Sequence, residues 1–296
     1  MKRKIRKARK NATAKLLTLP GLRQWSQNRE FAVERKLLKS QELPTNDQPS
    51  VIHYSVNKAA TQFTKSILLR CGQENGLITA RFSDYAWVSS TPYLFTLSKE
   101  EVQEYLHVFR PKGILYTVFG GLVEDIPEID QYRTIVMLRD PRDVLVSGYF
   151  SYSTSHAIPE STEKAKDFQQ FRNRIKNLEI DDYVKEMCEN TKWRMSQYMA
   201  LKKATSSSCI LRYEDMIADF PNWFDALLEH CQWETSDALK SQILSEAQRT
   251  RNPRKEDVSN HRRQVTPGDY ERKLKPETIE YLNEQLSEAL SEFNYN

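Results

Sequence analysis

The sequence predicts an α/β protein: a single domain with a central, mainly parallel sheet flanked by helices. Two patterns and one size argument predict it. Val51–Val56 reads as a strand, and Ile114–Phe119 and Thr134–Leu138 are continuous apolar runs with β-branched residues, as in strands covered on both faces. Segments of helical period separate them, which is the order of a parallel sheet with crossover helices. The chain has 296 residues, 39% hydrophobic and 28% charged, enough for one core without disulfide or metal staples. The longest apolar stretch, Gly113–Val123, holds three glycines and is about half of a membrane span, so no membrane span is expected.

Residues 1–44 read as an N-terminal arm, basic at its start, with a helix around Glu30 to Ser40. Lys39–Ser50 carries two prolines among polar residues and reads as a linker. The first strand, Val51–Val56, leads through a turn to a helix over about Ala60–Arg70, where Phe63, Ile67, Leu68 and Cys71 recur at helical spacing and Gly72 is placed as the stop. After the strand at Thr134–Leu138 comes Arg139-Asp140-Pro141. Asp140 is an N-cap and Pro141 a first-turn proline, so a helix begins there. Residues 180–204 read as a helix and Cys209–Tyr213 as a strand. Trp223, Phe224, Leu227, Leu228 and Cys231 mark an amphipathic helix. Residues 237–250 give another helix, and a last one starts near Pro276 with Ile279, Leu282, Leu286, Leu290 and Phe293 on one side.

The net charge of +4 comes from the first ten residues, which carry seven Lys and Arg and no acid; the remainder of the chain is net acidic, at −3. A nucleic-acid-binding body should show a basic face, so nucleic acid is not expected as a partner. The tail is expected to be a solvated arm. The four cysteines (Cys71, Cys188, Cys209, Cys231) have neither zinc nor disulfide spacing and fit a reducing, cytoplasmic location. No metal-ligand cluster is visible.

Three local patterns point to anion chemistry. In HYSVNKAATQFTKSIL, residues 53–68, a strand runs into a turn holding Lys58 and then a helix start holding Thr61. Unpaired amides and the positive end of the helix dipole bind anions there. The Walker pattern G-x-x-x-x-G-K-[ST] is absent, and an ordinary turn with an exposed lysine reads equally well. Arg139 closes a strand and Ser147 lies eight residues on; the arginine offers bidentate donors to a phosphate, or pairs with Asp140 or Asp143. Arg262-Arg263-Gln264, leading to Pro267-Gly268-Asp269-Tyr270, is a basic loop before the last helix.

Together these residues resemble the nucleotide site of sulfotransferases that use 3′-phosphoadenosine-5′-phosphosulfate (PAPS). That family has P-K-x-G-T-T-W after a strand; here the slot reads Asn57-Lys58-Ala59-Ala60-Thr61-Gln62-Phe63. It has R-D-P-R-D-x-x-x-S, matched by RDPRDVLVS at 139–147, and Y-E-D, matched by Tyr213-Glu214-Asp215. Its R-K-G-x-x-G-D-W is echoed from Arg263 to Tyr270. Ala60 stands where the family has glycine, and Gln264 and Val265 where it has lysine and glycine. The resemblance implies a P-loop-like sulfotransferase fold over residues 45–296.

By that resemblance, Lys58 would contact the bridging oxygen of PAPS. Ala60, Thr61 and Gln62 would hold the 5′-phosphate. Arg139, Ser147, Arg262 and Arg263 would serve the 3′-phosphate, and Ser147 would also steer Lys58. Phe63 and Tyr213 would flank adenine, and the product nucleotide would be PAP. The family needs no metal. The general base is open: Asp84 leads, His156 is the rival, and Glu124, Asp125 or no dedicated base follow, while His53 reads as a sheet residue. Tyr85–Phe95 is aromatic-rich and reads either as core packing or as the wall of an acceptor pocket. The expected acceptor is a small molecule, such as a secondary-metabolite hydroxyl or an amine or guanidine; a homodimer stays open. A kinase-like phosphotransferase and a catalytically silent nucleotide-binding or scaffold protein are the other classes.

Overall fold

The computed structural model describes residues 20–158, 162–251 and 266–295. Five strands form one sheet in the order β2-β3-β1-β4-β5: β1 Val51–Ser55, β2 Ile78–Ala80, β3 Ile114–Phe119, β4 Arg133–Leu138 and β5 Ser208–Arg212. Every neighbouring pair is parallel. All residues of β1 and β3 are buried, and all of β4 but its first, the pattern of a sheet covered on both faces.

The chain leaves central β1 toward the β2 edge and returns through β3. It then crosses to β4 and β5 on the other side. The order therefore reverses at the β1–β4 boundary, where open parallel sheets hold ligands beyond the carboxyl ends of the strands. Register places the two ends together. Ser55 lies opposite Met137, and the Val56 amide continues the ladder to the Met137 carbonyl at 3.0 Å.

The expected elements are present with shifted limits. Helices α1 Pro20–Glu30 and α2 Ala32–Leu38 precede β1, and Phe31 and Leu37 are buried in the core. Helix α3 runs from Thr61 to Glu74, through Gly72, which does not stop it. A Cβ at Gly72 would lie 3.2 Å from a Leu115 methyl, so this glycine permits helix–sheet approach, and the left-handed Gly76 follows the helix end.

Helix α4, Phe82–Val88, and the three-residue edge strand β2 carry no clear period in the sequence. Helix α5 spans Pro141–Phe150 with Asp140 accepting from the Arg142 amide. Then come α6 Thr162–Ile175, α7 Ile180–Ala204, α8 Tyr213–Ala218, α9 Phe220–Cys231, α10 Asp237–Arg251 and α11 Asp269–Lys273. The last expected helix is broken at Leu286 into α12 Pro276–Gln285 and α13 Ser287–Glu292, yet Leu282, Leu286, Leu290 and Phe293 are still buried. No described helix is long and apolar enough to cross a membrane.

Candidate active site

The loop after β1 turns sharply. Lys58 and Ala60 both take left-handed backbone, at φ 72° and 56°. Thr61 then opens α3, and its hydroxyl ties the helix start to the strand end, 2.8 Å from the Ser55 hydroxyl and donating to the Val56 carbonyl at 3.3 Å. Helical bonding begins with the Phe63 and Thr64 amides, which donate to the Ala60 carbonyl at 2.8 and 3.1 Å. The amides of Ala60, Thr61 and Gln62 donate no hydrogen bond among the described residues. Three unspent donors at the positive end of a 14-residue helix are of the kind that can bind an anion.

Arg139 stands beside that loop. Its Nη1 donates to the Lys58 carbonyl at 3.1 Å, and its Nη2 to Asp143 Oδ2 at 3.1 Å. Its guanidinium carbon sits 4.5 Å from the Tyr213 ring centroid. The residue is only 4% exposed, and Nε is buried without a partner among the described residues. A guanidinium has five N–H donors; two are used here, and an oxyanion would satisfy the rest.

The second arginine of the RDPRD run is spent on architecture. Arg142 pairs with Asp140 at 2.7 Å, reaches Asn283 Oδ1 and the Tyr295 carbonyl at 2.6 Å each, and lies over the Tyr270 ring. Ser147 is half-buried on α5, and its hydroxyl makes no hydrogen bond among the described residues. Phe63 is half-buried, its ring 5.8 Å from that of Phe220. Arg262 and Arg263 lie outside the described residues.

A cavity of about 1100 Å³ opens beside the helix start. Asn57, Thr61 and Gln62 line one part of it, and Phe31, Trp87, Tyr93, Phe95, Tyr152 and His156 supply aromatic walls. The segment 85–95 therefore lines a cavity. Asp84 is in the wall. Buried Lys65 and the Arg81 guanidinium, at 3.7 Å, both engage its Oδ2; Oδ1 has no partner among the described residues. His156 lies among the Tyr152, Phe168 and Trp87 rings, with centroids at 5.1, 5.4 and 6.3 Å.

Glu124 and Asp125 do not line the cavity, and Asp125 pairs with Lys99 at 3.2 Å. His53 is fully buried in β1 against the Thr117 hydroxyl, 2.9 Å away. Burial, reinforced by the Lys65 charge, pushes its pKa down to about 3, so it stays neutral.

Lys58 lines a smaller adjoining cavity of about 290 Å³, together with Arg194 of α7. Asn57 and Tyr152 line both spaces, and the Asn57 amide donates to the Tyr152 hydroxyl at 3.4 Å. Arg194 also donates to the Gly120 carbonyl at the end of β3. Lys65, Tyr152 and Arg194 were not among the sequence-predicted residues. Each is mid-helix or helix-end, with no local pattern to mark it. Among the described residues, no cluster of three or more His, Cys, Asp or Glu side chains could hold a metal.

The family model for the sulfotransferase domain matches residues 122–294. This chain belongs to the sulfotransferase family. The match takes in the Arg139–Ser147 run and Tyr213 and begins after the Lys58 loop. No curated protein matches the chain. Among solved structures, this sulfotransferase is similar to mouse sulfotransferase SULT7A1 complexed with PAP, at 17% identity over 86% of this chain and 89% of that one, TM-score 0.47. It is similar to retinol dehydratase in complex with androsterone and inactive cofactor PAP, at 15% identity over 86% and 85%, TM-score 0.45. It is also similar to sulfotransferase STF9 from Mycobacterium avium, at 10% identity over 90% and 80%, TM-score 0.48.

Proposed function

We propose that this sulfotransferase moves a sulfuryl group from PAPS to a hydroxyl of a small-molecule acceptor, without a metal. The observation that carries the reading is the joint at the β1–β4 boundary. Three unspent amides at the α3 start sit one loop away from a buried Arg139 that touches the Lys58 carbonyl. That gives two anion-binding groups beside one loop, which suits a nucleotide with phosphates at both ends of its ribose.

PAPS supplies an activated sulfuryl group on a phosphate leaving group. Ala60, Thr61 and Gln62 hold the 5′-phosphate. Arg139, Ser147, Arg262 and Arg263 take the 3′-phosphate, and Phe63 and Tyr213 flank the adenine. The acceptor oxygen forms the new bond to sulfur while the bond from sulfur to the leaving phosphate oxygen breaks. Lys58 neutralises the charge that grows on that oxygen, the kind of help positioned cations give phosphoryl transfer.

The acceptor proton goes to Asp84, whose Oδ2 is held by Lys65 and Arg81 while Oδ1 stays open. His156, in the same cavity wall, is the second candidate. The aromatic walls fit an acceptor with a large apolar body.

A thermal-shift titration with PAP tests the reading. At about 100 times its dissociation constant, PAP should add roughly 2.7 kcal/mol of stability. Lys58→Ala should keep most of that shift and lose turnover; retained turnover removes the role given to Lys58. No shift at millimolar PAP removes the nucleotide reading.

A further inference from the structure

Apart from Lys58, the nucleotide reading makes no use of the smaller cavity of about 290 Å³; residues 60–62 and Arg139 do not line it. Its lining holds two cations, Lys58 and Arg194, and no Asp or Glu. Arg194 is half-buried on α7. Its one hydrogen bond among the described residues goes to the Gly120 carbonyl, and it has no ion pair among them. A guanidinium has five N–H donors, so most of them remain for a ligand. Burial pushes the Tyr152 hydroxyl pKa up, while the Arg194 charge and the Asn57 amide pull it the other way, so the cation lies near that hydroxyl. Asn57 and Tyr152 line both cavities, and the two spaces share a wall there. The other sides are largely apolar: Val144 and Leu145 of α5, Phe168 and Phe171 of α6, and Met187 of α7. We propose that this cavity is a binding site for a small organic acid, with the carboxylate on Arg194 and the apolar body against Phe168, Phe171 and Met187.

The physical argument is one of unbalanced charge. A half-buried cation loses part of its hydration, and Arg194 regains no carboxylate among the described residues. An incoming carboxylate restores the balance and takes two guanidinium donors at once. Lys58 adds to the positive potential of the lining. Inorganic sulfate would meet the charge and leave the aromatic and aliphatic walls uncovered. A neutral apolar ligand would cover the walls and leave the cation unpaired. A ligand with both parts meets both demands.

Such an acid has two sources. It is a group on the sulfuryl acceptor, whose body then reaches into the larger cavity past Asn57 and Tyr152, or it is a separate molecule beside the acceptor. The first source rests on the sulfuryl-transfer reading; the site itself does not.

Calorimetry on the full chain tests the site with phenylacetate, its neutral isostere phenylacetamide and inorganic sulfate. The wild type should bind phenylacetate at least about 10-fold more tightly than either of the others. Arg194→Gln should remove that preference, and Arg194→Lys, which keeps the charge without the fork, should keep part of it. Phenylacetamide or sulfate bound as tightly as phenylacetate, or a preference that survives in Arg194→Gln, overturns the proposal. Failure of PAP to bind the wild type would remove the nucleotide reading and leave this result standing.

Should Arg194→Gln not fold, Met187→Trp decides, since it fills the apolar end and leaves Arg194 in place. It should abolish phenylacetate binding; unchanged affinity overturns the proposal. With PAPS present, faster sulfation of 4-hydroxyphenylacetate than of 4-hydroxyphenylacetamide assigns the acid to the acceptor. Phenylacetate that binds while neither phenol is sulfated assigns it to a separate ligand of the same site.

Discussion

Replacing Ala60 by glycine should stabilise the protein and leave the phosphate cradle proposed for this turn intact. Ala60 sits at φ 56°, ψ 29°, immediately before the first residue of α3. An L-residue in that conformation carries about 1–2 kcal/mol of strain, because its Cβ crowds the backbone. Glycine removes the strain and adds about 0.5–1 kcal/mol of unfolded-chain entropy to be lost on folding. The difference leaves a gain of about 0.5–1 kcal/mol, or about 1–4 °C in Tm for a domain of this size.

Gln232 is the control. It takes φ 55° at the end of α9, outside the lining of both cavities. Gln232→Gly should give a similar gain with no change in PAP affinity. Ala60→Gly should hold or tighten PAP binding, since it opens backbone approach beside the Thr61 and Gln62 amides. Thermal and urea melts, with calorimetry for PAP, measure both effects. A destabilised Ala60→Gly, or weaker PAP binding in it, would refute the assignment of this turn as the phosphate cradle.

Two further outcomes follow from the buried and cavity-lining groups. His53 keeps its neutral form down to about pH 3, whereas in the unfolded chain it takes a proton near pH 6.5. The unfolded state therefore binds more protons as pH falls below 6.5, and this residue alone should remove about 2 kcal/mol of stability between pH 6.5 and 5. His53→Gln should flatten that part of the stability curve, read by urea midpoints at several pH values; an unchanged slope contradicts the neutral, buried assignment. Asp84→Asn should lower turnover by about 10²–10⁴-fold with PAP affinity unchanged, and an unaltered rate would transfer the proton-accepting role to His156.

The sheet was legible because its central strands are continuous apolar runs. Ile114–Phe119 and Ile135–Leu138 are buried apolar runs broken only by Thr117, and Val51–Ser55 is buried throughout although it carries His53 and Ser55. Edge strand β2 was not legible, since three residues carry no period. Gly72 was misread as a helix stop because its role, room for Leu115 and Trp233 against α3, depends on residues 43 and 161 positions away.

The same distinction divides the site. Lys58, Ala60, Thr61, Arg139 and Asp143 fall in two short motifs, so the sequence exposes them directly. The pairing of Asp84 with Lys65 joins two different helices, and Arg194 and Lys58 line one cavity from distant parts of the chain. Such contacts are products of the fold, and no spacing within either helix announces them.

A crystal structure of the protein soaked with PAP tests the central claim most directly. The account predicts the 5′-phosphate about 3 Å from the amides of residues 60–62, and the 3′-phosphate at the same distance from the free edge of Arg139, with Lys58 at the 5′ end. A nucleotide bound elsewhere, or bound here with its 3′-phosphate turned away from Arg139, would contradict it.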